Sequence, residues 1–294
     1  MTARPPAGAV IVTGAGSGVG ASTAVTLAGR GYRVVAAVHS RARTAGLDEL
    51  VARSGAEIDV AELDVTDDAA IPGFVDGVAA RHGGLHAIVN SAGVTGVDTF
   101  ENEDVASYRR MFEVNVFGPV ALLKSALPHL RAARGRFVAV GSIAGVVGLP
   151  FQEAYSGSKF ALEGVLEAFA PVARRAGVAV SVVEPGPIST DAVRHTDWPR
   201  VLGGAGPYAE SLRRYVGNAA ALDGTLPGLP ATQTADEVAS AIADLLAADD
   251  PPFRRQTSAG ARSFVARKLA DADGAAALAA TGRWLDPLSA EAVE

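Results

Sequence analysis

Between the apolar stretch Ala9 to Thr13 and a helix-like segment from Ser22 stands the run Thr13-Gly14-Ala15-Gly16-Ser17-Gly18-Val19-Gly20. This glycine turn limits the fold more than any other feature of the chain. The stretch before it is apolar at successive positions rather than alternating, the pattern of a strand covered on both faces. Glycines let the chain turn sharply at the strand end, admit close approach to the backbone, and leave the first N–H groups of the following helix free to face an anion. A strand, a glycine turn and a helix in that order predict one layer of a parallel α/β sheet.

The rest of the chain repeats the alternation. Arg33 to Val38, Ile58 to Leu63, Ala87 to Asn90, Phe137 to Val140 and Val178 to Glu184 read as further buried strands. Segments of helical length separate them: Ser22 to Gly29, Ala69 to Arg81, Ser107 to Leu130 and Tyr155 to Arg175. Such alternation implies right-handed crossovers and a single doubly wound parallel sheet of the Rossmann type, with helices on both faces. After Pro185 the pattern loosens. Residues 191–231 hold many glycines and prolines and only a short helical candidate, Tyr208 to Gly217, so they read as a substrate lid inserted in the domain. Ala235 to Ala248 is helix-like again, and Phe253 to Thr257 reads as a last edge strand. The expected organisation is a tail over residues 1–8, a dinucleotide-binding catalytic domain over 9–257, and a helical extension over 258–294.

Composition excludes several kinds of chemistry. There is no cysteine, hence no disulfide, thiolate metal site or cysteine nucleophile. The formal net charge is −6 and the arginines are scattered, which argues against a nucleic-acid surface. No run approaches the roughly 18 apolar residues of a membrane span. Met1 to Gly8 lacks the apolar stretch and cleavage site of a signal peptide, so cytoplasm is the default expectation. No metal site is expected: His82 and His86 are spaced four apart, but Gly83 and Gly84 interrupt any helix between them. Glu101, Glu103 and Asp104 read as capping or solvating the start of the long helix.

Spacing sharpens the glycine turn. From Gly14 the pattern GxGxxG fails at Val19, and GxxxxGK[ST] fails for want of a lysine; TGxxxGxG fits, with Gly14, Gly18 and Gly20. A second motif is Tyr155-Ser156-Gly157-Ser158-Lys159, whose i, i+4 spacing sets both side chains on one helix face. Only Lys124, Lys159 and Lys268 among 26 basic residues are lysines, and with 5 tyrosines in 294 positions about 0.05 chance YxxxK matches are expected. A tyrosine used as a base needs its pKa, about 10, brought near neutrality, a preference for phenolate worth ~4 kcal/mol that a neighbouring ammonium can largely supply. Ser142 lies at the end of the fifth strand, Asn115 in mid-helix, and Pro185-Gly186 just beyond the sixth strand.

With these motifs the chain resembles the short-chain dehydrogenase/reductase family over residues 8 to 257, and most of all its retinol and hydroxysteroid dehydrogenase branch. The resemblance implies an oxidoreductase acting on a CH–OH or carbonyl group. It makes Asn115, Ser142, Tyr155 and Lys159 a catalytic tetrad: Tyr155 moves the proton, Ser142 steadies the substrate oxygen, Lys159 binds the nicotinamide ribose, and Asn115 holds a water leading to Lys159. It assigns the cofactor to Gly14, Ser17, Gly18, Val19 and Gly20, to Asp64 and Val65 at the adenine, to Asn90, Ala92 and Gly93 after the fourth strand, and to Pro185, Gly186, Ile188 and Thr190 at the carboxamide. Ser91 stands where the commoner family form has a second asparagine. The family pairing of the Asn115 and Tyr155 helices implies a homodimer or homotetramer, with Ala161, Leu162, Val165, Leu166 and Phe169 supplying either the seam or the core.

Dinucleotide choice turns on the end of the second strand, where an acid would accept from the ribose 2′-OH. Val38 stands there instead, followed by His39, Ser40, Arg41 and Arg43, which can donate to a 2′-phosphate. NADP(H) is therefore favoured over NAD(H), although Ser17 stands where many NADP-dependent relatives have a basic residue. Ile143, Val146, Val147, Leu149, Pro150 and Phe151, with Val94 and the apolar residues Trp198, Val201, Leu202, Tyr208, Leu212 and Tyr215 of the insertion, read either as walls for a bulky apolar substrate or as ordinary core. The alternative of another class is a non-catalytic dinucleotide sensor or scaffold on the same fold.

Overall fold

In the computed structural model, residues 8–189, 197–221 and 229–287 are described. Among them, seven parallel strands form one sheet: β1 (Ala9–Thr13), β2 (Arg33–Val38), β3 (Asp59–Glu62), β4 (Leu85–Asn90), β5 (Arg136–Val140), β6 (Ala179–Glu184) and β7 (Arg254–Gln256). Their order is β3-β2-β1-β4-β5-β6-β7. The chain runs outward from β1 to β3, then crosses back to β4 on the other side of β1. The crevice for a ligand in such a sheet opens at this reversal, beyond the carboxyl ends of the strands. Both the glycine turn after β1 and the Asn90–Gly93 turn after β4 end there.

The helices cover both faces, as the doubly wound reading expects. One face packs α3 (Ala70–His82), α5 (Gly118–Ala133) and α6 (Glu153–Arg175) on the sheet, around Ile71, Leu122, Phe137 and Leu162. The other packs α1 (Gly18–Gly29) and α9 (Ala235–Ala247), around Val12, Leu27, Ile242 and Leu246. Burial of these aliphatic side chains, each worth about 1.5–3 kcal/mol, fixes the layers. The α9 start is a full capping box, with Thr234 and Glu237 bonding each other's backbone N–H.

Several expectations need correction. β3 is not buried on both faces; as the sheet's edge strand its ends are exposed and its middle half-covered. A further helix, α2 (Ala45–Ser54), lies between β2 and β3 in a stretch to which the sequence reading assigns no element; Leu47 is its buried residue. The single helix expected over 107–130 is α4 (Val105–Phe112), a π-helical turn over Glu113–Phe117, and then α5. The residues past 257 form α10 (Ala259–Leu269) and α11 (Ala275–Gly282). Ala261, Phe264, Val265 and Trp284 complete a third apolar core with Val97, Ile143, Val147, Phe151 and, from the insertion, Val201, Leu212 and Tyr215. Trp284 stacks on Phe264 with ring centres 6.2 Å apart, and the Asn218 amide donates to its carbonyl.

Candidate active site

Thr13, the last residue of β1, pairs across the sheet with Asn90, and its hydroxyl donates to Asn90 Oδ1 at 3.1 Å. The Thr13 hydroxyl oxygen also accepts from the Ala92 amide at 3.1 Å, so the two turns at the crevice are locked together. Gly14 sits with φ +64°, and a Cβ there would lie 2.7 Å from the Ala92 backbone. A Cβ on Gly20 would meet the Gly14 carbonyl, and Gly18 also has positive φ, so these three glycines are demanded by backbone contact and conformation. The turn delivers the N-terminus of α1 to the crevice with Ser17 at its cap. Ser17 makes no side-chain cap and the first turn carries no acid. Helix N–H groups left uncapped beside a turn of glycines fit a pyrophosphate. Val19 and Gly20 lie on the first turn of that helix.

At the second strand's end Val38 is buried, and His39, Ser40 and Arg41 follow on an exposed loop. Their polar groups are already engaged with the protein. Ser40 Oγ accepts from the Ala42 amide, the Arg41 guanidinium donates to the Val60 carbonyl, and the Arg41 amide donates to Glu62 Oε1 at 2.8 Å. His39 Nδ1 lies 3.7 Å from Asp64 Oδ2. Asp64 accepts from the amide and the hydroxyl of Thr66, which hold its carboxyl below the ordinary range. Val65 is buried beneath Gly118, at which any Cβ would run into the Val65 carbonyl.

The four residues of the expected tetrad meet on the other side of β4. Asn115 sits in the π-helical turn between α4 and α5, almost wholly buried. A π turn inside an α-helix redirects one side chain, and here it aims Asn115 at the strand-end turn. Its Oδ1 accepts from the Val94 amide and its Nδ2 donates to the Val94 carbonyl, both at 2.8 Å; Nδ2 also donates to Ser158 Oγ at 2.9 Å. Ser158 in turn donates to the Tyr155 carbonyl at 2.7 Å. The chain from Asn115 to the tyrosine helix thus runs through a serine that the sequence does not single out. A hydroxyl three places past the tyrosine on that helix is the available signal, masked because a second serine, Ser156, stands beside it.

Ser142 stands just beyond β5, and its Oγ accepts from the Ala144 amide at 3.0 Å, closing the short turn Ile143–Gly145. Phe151, with φ 61°, enters α6, and its ring meets Tyr215 edge-on at 5.5 Å. Tyr155 and Lys159 then occupy one face of α6. The ammonium of Lys159 donates to the Val140 carbonyl at 2.9 Å and lies 5.8 Å from the centre of the Tyr155 ring. Among the described residues no carboxylate pairs with it, and burial alone brings its pKa down to about 8. Burial also pushes the Tyr155 phenol up, while a hydrogen bond with Ser142 pulls it back. Gly93 separates Asn115 from Lys159: a Cβ there would stand 3.3 Å from Asn115 Oδ1 and 3.6 Å from Lys159 Nζ.

Beyond β6 the Pro185 carbonyl accepts from the Ile143 amide at 3.0 Å, which ties the Pro185–Gly186 turn to the Ser142 loop. Ile188 makes an isolated bridge to Gln233. Thr190 lies outside the described residues, as do 191–196 and 222–228 of the insertion. In the described part, α7 (Trp198–Gly203) is latched by Arg200 to buried Asp98 at 2.8 Å, and Tyr208 donates to Glu101 at 3.0 Å ahead of α8 (Ala209–Ala221). Asp104 caps α4 through the Ser107 amide, as expected; Glu103 is half-buried, and burial beside Asp98 pushes it up to about 7. Of the apolar residues read as walls or core, Ile143, Val146, Val147, Phe151, Val201, Leu212 and Tyr215 are buried in the third core, whereas Val94 and Tyr208 remain exposed.

Comparison with known proteins places this architecture. Residues 8–199 match the family model described as short chain dehydrogenase. Retinol dehydrogenase 8 of Bos taurus is 30% identical over 285 residues, covering 90% of this chain and 86% of that protein. A short-chain dehydrogenase from Streptomyces avermitilis superposes with a TM-score of 0.73 at 29% identity, over 90% of this chain and 93% of the other. A metagenomic short-chain oxidoreductase in complex with NADP superposes with a TM-score of 0.64 at 25% identity, over 85% and 97%.

Proposed function

Since this chain belongs to the short-chain dehydrogenase family and is an NAD(P)-dependent oxidoreductase, we propose that it interconverts a carbonyl and an alcohol on a small, largely apolar molecule, with NADP(H) favoured over NAD(H). The observation that carries this reading is the Tyr155–Lys159 pair, a buried ammonium with no carboxylate partner among the described residues, beside a phenol bonded to Ser142. The glycine turn and the uncapped α1 terminus hold the pyrophosphate; Asp64 and Val65 flank the adenine, and Asn90, Ala92 and Gly93 line the crevice floor. Ile188 and Thr190, after Pro185 and Gly186, serve the carboxamide end. When bound, the nicotinamide supplies or accepts the hydride.

The protein's own part is proton transfer and charge. Burial keeps Tyr155 protonated, the form that donates to a carbonyl oxygen gaining charge; Ser142 donates to the same oxygen. Lys159 lowers the cost of the phenolate left behind, because its charge lies in a site where water screens little. Asn115 and Ser158 hold the turn and the helix in their relative positions, and a water beyond Asn115 refills the proton through Lys159. The likeness to a retinol dehydrogenase and to a structure holding NADP supports an apolar substrate and the phosphorylated cofactor. Val94, Leu149 and Tyr208 give that substrate its open apolar surface.

We extend the proposal to a cytoplasmic homo-oligomer. Leu162 and Leu166 are core, but Phe117, Phe160, Val165 and Val172 are exposed on and beside α5 and α6, and supply an apolar face for a second copy. Aliphatic, aromatic and polycyclic ketones assayed with NADPH and with NADH, read at the nicotinamide absorbance, test the function. Turnover of a polycyclic ketone with NADPH ahead of NADH is expected; no turnover of any carbonyl or alcohol with either cofactor would overturn it.

A further inference from the structure

One turn past Lys159 on α6 lies Glu163, and at the end of β6, one residue before the Pro185–Gly186 turn, lies Glu184. They are 3% and 0% exposed. Two carboxylates cannot both be charged in such a place without matching cations. The cation present is Arg254 of β7. Its Nε bonds Glu163 Oε1 and lies 3.4 Å from Glu184 Oε1, and its other end reaches Glu167 at 3.3 Å. Gln256 donates to Glu184 Oε2 at 2.8 Å. That leaves Glu163 Oε2 and Glu184 Oε1 buried with no hydrogen-bond donor among the described residues.

Glu163 Oε2 lies beside the turn that follows Ser142. A Cβ on Gly145, in the turn after Ser142, would stand 2.9 Å from Glu163 Oε2 and 3.2 Å from the Lys159 carbonyl. Glu184 is covalently the start of the nicotinamide-side turn, whose Pro185 carbonyl holds Ile143. One proton held by these two carboxyl groups, which lie against the same Arg254 Nε, removes one of two buried charges and leaves one net negative charge for Arg254. On these grounds, and resting on the oxidoreductase reading above, we propose that Glu163 and Glu184 share a single proton, and that this acid–carboxylate pair, gripped by Arg254, is a positioning device that holds the Ser142 loop, the Tyr155 helix and the Pro185–Gly186 turn in register.

Burial and the neighbouring Glu184 push Glu163 up to about 8, from an ordinary 4.5. The charged groups acting on it are Glu184 of β6 and Arg254 of β7, the latter also paired with Glu167 of the same helix as Glu163. The folded state therefore keeps a proton that the unfolded chain has lost, and stability falls as pH rises across the window from 4.5 to about 8.

The test compares the full-length wild type with E163Q, whose amide nitrogen stands in for the shared proton, and with E163A. The wild-type Tm falls across that window and the E163Q curve falls less steeply, the difference being clearest between about 7, where Glu103 has titrated, and about 8. An infrared band of a buried protonated carboxylic acid is present in wild type at pH about 6 and absent in E163Q. Parallel Tm curves, or no such band, overturn the shared proton. For positioning, E163A lowers kcat about tenfold at unchanged cofactor Kd, and E163Q recovers kcat to within about threefold of wild type. Unchanged kcat in folded E163A overturns that role. The Tm and infrared readouts need no turnover, so an enzyme inactive on every carbonyl would sink the functional reading while these still decide the pair.

Discussion

The two ends of the proposed cleft are built by opposite means. At the reaction end, Asn115 and the Tyr155–Lys159 pair come from separate stretches of chain and are fixed by bonds to Val94, Ser142, Ser158 and Val140. At the adenosine end, His39, Ser40, Arg41 and Asp64 are neighbours on exposed loops that bond mainly to their own turns and to the edge strand β3. An unmet polar group costs ~1–3 kcal/mol when buried and next to nothing in water. Residue types at the reaction end are therefore dictated by the structure, and those at the adenosine end only by the ligand.

The largest effect is expected where the comparison is steepest. Tyr155→Phe removes the one hydroxyl proposed to move the proton and keeps the ring beside Lys159. Its kcat should fall by about 10²–10⁴, with cofactor Kd from fluorescence titration unchanged. Substantial residual turnover would reduce the reaction end to a packing feature like any other.

A smaller but two-sided effect follows from Lys159. Its folded pKa of about 8 is below its ordinary 10.5, so the folded state holds fewer protons than the unfolded chain between those values. Stability should therefore rise as pH goes from about 8 to 10.5, while kcat, for which the proposed mechanism needs the ammonium, falls over the same range. Opposite signs from one group separate its structural cost from its chemical use. Lys159→Met should abolish this rise in Tm and lower kcat by about 10²-fold. A Tm profile of the variant that overlays the wild type would show that another group titrates there.

What the sequence discloses follows the same division. The strands beside β1 are read almost to the residue because full burial demands unbroken apolar runs, and the glycine turn because backbone contacts forbid side chains. β3 and α2, half-exposed at the sheet edge, leave weaker patterns. Tyr155 and Lys159 are legible because their spacing lies within one helix, and lysine is rare enough in this chain for the match to carry weight. Ser158, Glu163, Glu184 and the third core are not, since each matters through contacts with residues far along the chain. Trp284 looks like part of a tail until Tyr215 and Phe264 are beside it.

The smallest effect tests whether the adenosine end is a ligand site at all. Arg41 donates to the Val60 carbonyl and takes Glu62 on its amide, so its guanidinium is held over the edge strand at the end of β2. A 2′-phosphate arriving there gains a charged donor already ordered and meets His39 and Ser40 beside it. Arg41→Ala should raise the KM for NADPH about tenfold, ~1.4 kcal/mol, and leave that for NADH within about twofold. The bond to Val60 is solvent-exposed, so its loss should cost little stability, and Tm reports that separately. Equal changes in both KM values would make Arg41 a loop staple rather than a phosphate ligand, and the preference for NADP(H) would then need another source on the exposed loop, with Arg43 the next residue to replace.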